Sequence, residues 1–276
     1  MKTHPDIEQN TLGRLVRTVK AAPETILAMI LLVGFIGGWE LIVRIFDVPN
    51  LILPAPSAIW LALLATVVKH GFWQHVGVTL AETLGGFALG SSTGFVIGAL
   101  VAQFRLLERT LYLYIIAFQA IPKVAVAPIL LIWFGYGMAS KIVITATIAF
   151  FPLLANTITG LRAAPADQME MLRGFTATPA EVFRMVRIPQ ALPYIMVGLD
   201  VAMVLSVTGA IVGEFVGSQQ GIGYLILQRT SDLDMAAVFA LLLVLALIGI
   251  GLHLIIRGLQ RRIVFWMDEF ADPISG

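Results

Sequence analysis

The 276 residues include no cysteine, which removes disulfide frameworks, thiolate zinc sites, iron–sulfur clusters and cysteine nucleophiles from consideration. Charge is scarce as well: Asp, Glu, Lys and Arg make up 13% of the chain, where a soluble domain carries about 25%. The net charge of +1 supplies no basic field, so a nucleic-acid partner is not expected. No Gly-x-x-x-x-Gly-Lys-Ser/Thr occurs, so the chain offers no phosphate cradle of that kind and is not expected to hydrolyse ATP itself. What is present is apolar. With 58% hydrophobic residues and a mean hydropathy of +0.90, most of the mass is expected to be solvated by lipid.

A helix needs about 20 mostly apolar residues to cross a hydrocarbon core. Six stretches qualify, near 26–46, 76–103, 110–135, 139–161, 191–217 and 236–257, and predict an all-α polytopic bundle of six transmembrane helices. A secretory leader is not expected, because the first run is long enough to span and lacks a small-residue cleavage site after it. Lys2, Arg14, Arg17, Lys20, Arg105, Arg109, Arg162, Arg173, Arg184, Arg187, Arg257, Arg261 and Arg262 fall on one side of such a bundle. Only Arg44, Lys69, Lys141 and Arg229 fall on the other. The positive-inside rule makes the first side cytoplasmic and places both termini there. Between the first two spans, Leu53-Pro-Ala-Pro-Ser57 precedes a helical repeat of Ile59, Trp60, Leu63, Leu64 and Val67 that is too short to cross. It is expected to lie flat at the outer surface, with Ser57 as its N-cap.

Gly86, Gly90, Gly94 and Gly98 recur every four residues in the second span, as do Gly209, Gly213 and Gly217 in the fifth. Each series lines one helix face, so these residues are read as close-packing positions between helix axes. The third span is different. Ile121-Pro-Lys-Val-Ala-Val-Ala-Pro128 sets two prolines and a lysine in an apolar run, and a helix broken at membrane depth needs a cavity, water or neighbours to satisfy its freed carbonyls. Lys123, with Gln119 one turn earlier, is therefore a candidate for the substrate pathway. The alternative is a structural ion pair with Glu82, Glu214 or Asp200, or a snorkelling contact. Glu214 joins the pathway set as a structural or gating carboxylate. No metal site is expected: His70 and His75 have tolerable spacing but no accompanying carboxylate.

The longest cytoplasmic connection, 163–193, reads as two short helices. Thr178-Pro-Ala-Glu181 is a capping box, with Thr as N-cap, Pro at the first helical position and Glu at the third. Val182, Phe183 and Val186 form an apolar stripe flanked by Arg184 and Arg187, and Pro189 is expected to stop the helix. Such a helix suits docking into a groove of another protein, or packs on its own bundle.

These residues resemble the permease subunits of ATP-binding-cassette importers, specifically the nitrate, sulfonate and taurine group, over nearly the whole chain after Leu51. The signature of that family is Glu-Ala-Ala, three residues, Gly, nine residues, Ile, one residue, Leu-Pro. Here the frame runs from Glu170-Met-Leu172 through Thr176 to Val186, Ile188 and Pro189, followed by Ala-Leu-Pro193. Thr176 stands where the family has glycine, at a turn whose geometry Thr resists, with Arg173-Gly174 just before it. Leu53-Pro-Ala-Pro-Ser57, Ile121-Pro-Lys123 with Pro128 and Trp133-Phe-Gly135, and Gly209-Ala-Ile-Val-Gly-Glu-Phe215 match as well.

The resemblance implies a type I importer transmembrane domain over 75–260. It would be preceded by a cytoplasmic segment (1–25) and an accessory helix with its interfacial helix (26–74), and followed by a cytoplasmic tail (261–276). It implies a bacterial inner-membrane location among lipids, and a second permease chain, most simply a homodimer. It further implies ATPase subunits that hold the ATP and Mg, none being bound by this chain, and a periplasmic binding protein or lipoprotein that delivers a sulfonate, taurine, nitrate or pyrimidine-like nutrient. Glu170, Arg173, Gly174, Thr178, Glu181, Phe183, Arg187 and Pro189 become the candidates for ATPase coupling. Two rivals remain. An ion-coupled secondary transporter would need inverted repeats, and none is visible. An intramembrane serine protease would need Gly90-Ser-Ser-Thr-Gly94 to form a strand-to-helix turn, with His253 as base.

Overall fold

The computed structural model describes residues 6–266. Of the cations that set the expected orientation, Lys2 lies outside the described residues, as do the side chains of Arg14, Arg17, Lys20, Arg105 and Arg109; so does the tail from 267. Among the described residues every element is helical and no strand occurs. The order is α1 (Asp6–Ile45), α2 (Pro56–Val67), α3 (Phe72–Gln103), α4 (Arg105–Ala120), α5 (Lys123–Phe134), α6 (Met138–Arg162), α7 (Ala166–Gly174), α8 (Pro179–Val182), a π turn (Phe183–Arg187), α9 (Ile188–Gly217), α10 (Ile222–Ser231) and α11 (Met235–Ile263).

Among the described residues, five helical stretches are long and apolar enough to cross a membrane: Ile26–Ile45, Phe72–Gln103, Met138–Arg162, Pro179–Gly217 and Met235–Ile263. The sixth expected span is two helices. Ile121 is extended (φ −66°, ψ 127°) and Pro122 has no N–H, so the chain breaks there into α4 and α5, of 16 and 12 residues.

The glycine series decide how the core is built. A Cβ on Gly86 would run into the side chain of Thr145, and one on Gly90 into the carbonyl of Ala146. One on Gly94 would lie 2.6 Å from the carbonyl of Phe150, and one on Gly98 2.9 Å from Thr157 Cβ. The partners climb α6 as the glycines climb α3, so the two helices run parallel in near-contact of their backbones. Gly209 meets Thr145 Cα at 2.8 Å, Gly213 meets Lys141 Cγ at 3.1 Å, and at the other end Gly198 faces Asn156 while Gly160 faces Tyr194. These partners descend, so α9 runs antiparallel to α6 on its other side. α6 is thus the central helix, and in lipid its close approach to α3 and α9 supplies the dispersion energy that holds the bundle.

Alanine at position 90 has to displace backbone and is expected to destabilise the bundle by about 1–3 kcal/mol. Gly251 in α11 has open space around its Cβ position, so alanine there should stabilise by about 0.5–1 kcal/mol. Thermal unfolding of the two detergent-solubilised variants checks both signs.

The outer elements attach by specific contacts. Ile59 and Leu63 of α2 pack with Ala240 of α11 and with Trp39 of α1. Ser57 does not cap α2: the N-cap is Ala55, and Ser57 instead donates its N–H (3.0 Å) and hydroxyl (2.8 Å) to Glu40 of α1. Glu40 also holds Arg44 at 2.6 Å, so this outer cation is paired.

The elbow between α6 and α9 departs from expectation at Pro189. The helix does not stop there. The N–H of Ile188 reaches the carbonyl of Phe183, five residues back, and this wider turn admits Pro189 in the first turn of α9, where its missing N–H costs nothing. Pro179–Gly217 is in consequence one continuous helical run.

Candidate functional site

Three groupings of functional side chains form on this scaffold, one at each end of the α3–α6–α9 core and one beside it.

The first is the elbow. Thr178 and Glu181 form the expected capping box: Glu181 N–H donates to Thr178 Oγ1 (3.3 Å), while the N–H (2.7 Å) and hydroxyl (2.8 Å) of Thr178 donate to Glu181 Oε2. The apolar stripe faces inward. Val182 and Val186 are buried, and Phe183 is half-buried against Leu153, Leu161, Ala191 and Ile195, so of the two arrangements open to the stripe it takes the one that packs on its own bundle. The large apolar side chains left at the surface are Phe175, 74% exposed at the tip, Met171 (58%) one turn before it on α7, and Met185 (64%) on the π turn. Glu170, Arg173 and Gly174 lie exposed on α7, next to this tip. Arg187 is half-buried and donates to Gln103 Oε1 at 3.3 Å.

Thr176 takes the glycine position of the family signature and adopts φ +62°. Its N–H bonds the carbonyl of Arg173 (2.9 Å) and the N–H of Ala177 that of Leu172 (3.0 Å), which is a Schellman end to α7 with Thr at the left-handed position. A left-handed L-residue costs about 1–2 kcal/mol, and Thr is β-branched. Thr176→Gly is accordingly expected to stabilise the elbow by about 1 kcal/mol, less what the added backbone freedom takes back; slower proteolysis of 163–187 is the readout.

The second grouping lies beside the core. α3, α4, α5 and α6 line an open cavity of about 720 Å³ whose walls include Thr93, Tyr114, Phe118, Lys123, Phe150 and Phe151. Lys123 Nζ donates to the backbone carbonyl of Gln119 (3.0 Å) and sits 4.8 Å above the ring of Phe151. The break at Pro122 frees that carbonyl, and the ammonium that follows the break satisfies it. None of the expected carboxylate partners pairs with Lys123. Glu82 pairs with Lys141, Asp200 with His253 (2.6 Å), and Glu214 turns to a different site. Gln119 and Lys123 are together as expected, and Glu214 is not with them.

The third grouping, missed by sequence reasoning, is at the end of the core opposite the elbow. Lys141 of α6 is buried, 3.3 Å from Glu82 Oε1 of α3, and donates to Ser218 Oγ at 2.7 Å. Glu214 of α9 is buried and accepts from Thr79 Oγ1 (2.6 Å) and from the N–H of Gly223. Thr79 Oγ1 in turn accepts from Ile222 N–H (2.8 Å), and His75 Nδ1 from Gly221 N–H (3.0 Å). Four side chains from three helices thereby stitch down the 218–223 loop. Gly221 stands at φ +106° directly over the Glu214 carboxyl, where a side chain has no room. A cavity of about 540 Å³ opens beside the clasp, lined by Glu82, Lys141, Tyr136, Ser218, Gln219 and Gln220. The sequence did signal this site, in Gly221-x-Gly223 following a membrane carboxylate, but the partner helices were not legible.

Ser92 lies on an unbroken α3 and not on a strand-to-helix turn, and the Asp200 pairing accounts for His253. Neither supports a nucleophile site.

Residues 94–266 match the family described as binding-protein-dependent transport system inner membrane component. The riboflavin transport system permease protein RibX of Chloroflexus aurantiacus is 36% identical over 83% of this chain and 85% of that protein. The formylaminopyrimidine transport permease protein ThiX of Halalkalibacterium halodurans is 32% identical over 92% of this chain and 99% of that protein. Among solved structures, the inward-facing MetNI methionine ABC transporter superposes with a TM-score of 0.62 at 22% identity, covering 69% of this chain and 94% of that one, and so shares the fold. A helical bundle with five long apolar spans, and a match of this extent, leave one assignment: the chain belongs to the family of inner-membrane permease components of binding-protein-dependent ABC transporters.

Proposed function

We propose that this chain is the membrane subunit of an ATP-driven importer and that it takes its energy from a separate ATPase through the elbow. The observation that carries this reading is the apolar surface that the elbow leaves exposed, Phe175 and Met171 at the end of α7 and Met185 on the π turn. It stands at the end where Arg162, Arg173, Arg184 and Arg187 gather, which on the positive-inside rule is the cytoplasmic end. Lipid does not explain an apolar tip on a basic, polar loop; a groove in a soluble partner does. The partner ATPase supplies the site for ATP and Mg, both termini lie in the cytoplasm, and a second copy of the chain completes the pathway. A binding protein or lipoprotein feeds the side bearing the 218–223 loop. Residues 75–260 are the transporting domain, 26–74 the accessory part, and α4 with α5 make the sixth, discontinuous crossing.

The cargo we infer is a flat heteroaromatic nutrient in preference to sulfonate, taurine or nitrate. Tyr114, Phe118, Phe150 and Phe151 give the cavity beside the core faces on which a ring can stack, and the relatives named for riboflavin and formylaminopyrimidine point the same way. Co-expression with the genes that neighbour its own tests the reading. An ATPase that stays bound through detergent purification, with ATP-dependent uptake of a pyrimidine or flavin in vesicles, is the expected result. A chain that purifies alone and transports on an ion gradient overturns it.

A further inference from the structure

A small cavity of about 230 Å³ lies inside the elbow, separate from the exposed tip. Its walls come from three places: Gln103 at the end of α3, Arg173 in the last turn of α7, and Pro179, Val182, Phe183 and Arg187 along α8 and the π turn. Val182 and Phe183 give it an apolar floor, and both are fixed by the core beneath them. Arg173 and Arg187 are its only charged lining residues, and the Arg187 guanidinium is placed there by its bond to Gln103. Arg187 reaches the neutral amide of Gln103, and among the described residues neither arginine has a carboxylate partner. The nearest candidates are otherwise engaged or turned outward: Glu181 is held by Thr178, and Glu170 is exposed one turn back on α7. Two arginines without a carboxylate partner, beside an apolar floor, are the chemistry an oxyanion receptor needs, because a guanidinium offers paired donors that match carboxylate or phosphate oxygens.

We propose that this cavity binds a small oxyanion between Arg173 and Arg187, and that the occupant ties the end of α3 to the elbow. That the elbow faces an ATPase rests on the function proposed above; the binding itself does not. The same chemistry has two sources, a free inorganic anion from the cytoplasm or a carboxylate side chain of the docked ATPase. An occupant bridges α7, the π turn and α3, which is the joint through which any movement of the elbow must reach the bundle. It therefore stiffens that joint.

The test uses the full chain in detergent and inorganic phosphate as the probe, with chloride at matched ionic strength as the control. A saturable rise in the unfolding midpoint with phosphate, weakened about tenfold or more in apparent affinity by Arg173→Gln and by Arg187→Gln, establishes a free-anion site. Arg184→Gln, at an exposed arginine outside the cavity, should leave the response intact, and Arg187→Lys should keep only part of it. If the isolated chain ignores phosphate while both Gln variants, but not Arg184→Gln, loosen a bound ATPase, the oxyanion is the partner's carboxylate. Absence of both effects overturns the proposal. Should wild type retain no ATPase, the importer reading fails on that result, and the phosphate titration alone still decides the site.

Discussion

Lys141→Ala is expected to be among the most damaging single substitutions in the molecule, costing the folded bundle about 3–5 kcal/mol. The ammonium it removes is 3.3 Å from Glu82 Oε1, and that carboxyl is fully buried. A charged Glu82 left without Lys141 is a buried carboxylate with no counter-ion. Ser218 loses its donor in the same step, so the 218–223 loop is loosened where it should be clasped. The effect is read as a fall in the unfolding temperature of the purified protein and as proteolytic nicking within 218–223. Replacing the pair together, Lys141→Met with Glu82→Leu, should recover most of the loss, because an apolar pair of similar volume carries no desolvation cost. A Lys141→Ala variant as stable as wild type would show that Glu82 carries no charge needing this partner, and the clasp would then rest on Glu214, Thr79 and His75.

How much of this was legible beforehand depends on how local each feature is. The glycine series could be read because a four-residue spacing maps onto one helix face whatever lies opposite. Their partner could not: α6 presents Thr145, Ala146 and Ala149, small residues with no distinguishing pattern. Lys141 was counted as an outer cation on its place near a span end. Its burial depends on Glu82, 59 positions earlier, and no periodicity reports a pair so distant. Pro122 could be read as a break, since its missing N–H is a property of the residue itself. Pro189 could not, because the π turn that accommodates it depends on how Val182, Phe183 and Val186 settle on the core. The apolar stripe of the elbow was visible as a stripe, and an amphipathic pattern does not say whether its face meets a partner or its own bundle.

That last ambiguity yields the second large expected effect, a contrast between two phenylalanines eight positions apart. Phe175→Asp should abolish ATP-dependent uptake while leaving the protein folded. Its side chain is 74% exposed, and surface substitutions of this kind usually shift stability by no more than about 0.5 kcal/mol. A charge in the apolar groove of a partner, however, removes an aromatic anchor worth about 2 kcal/mol or more, roughly a thirtyfold loss of affinity. Phe183→Asp should fail differently. It places a carboxylate against Leu153, Leu161, Ala191 and Ile195, so about 2 kcal/mol or more of stability goes with it. The measurement is paired: the unfolding midpoint of each variant alone, then retention of the ATPase by each at a temperature where both are folded. Low retention with an unchanged midpoint for Phe175→Asp, and a lowered midpoint for Phe183→Asp, places the coupling surface at the tip. The reverse pattern would return it to the stripe and require the elbow to unpack from α6 and α9 before it docks. Coupling would then be an order change in the elbow, and the rigid push that a fixed tip delivers would be excluded.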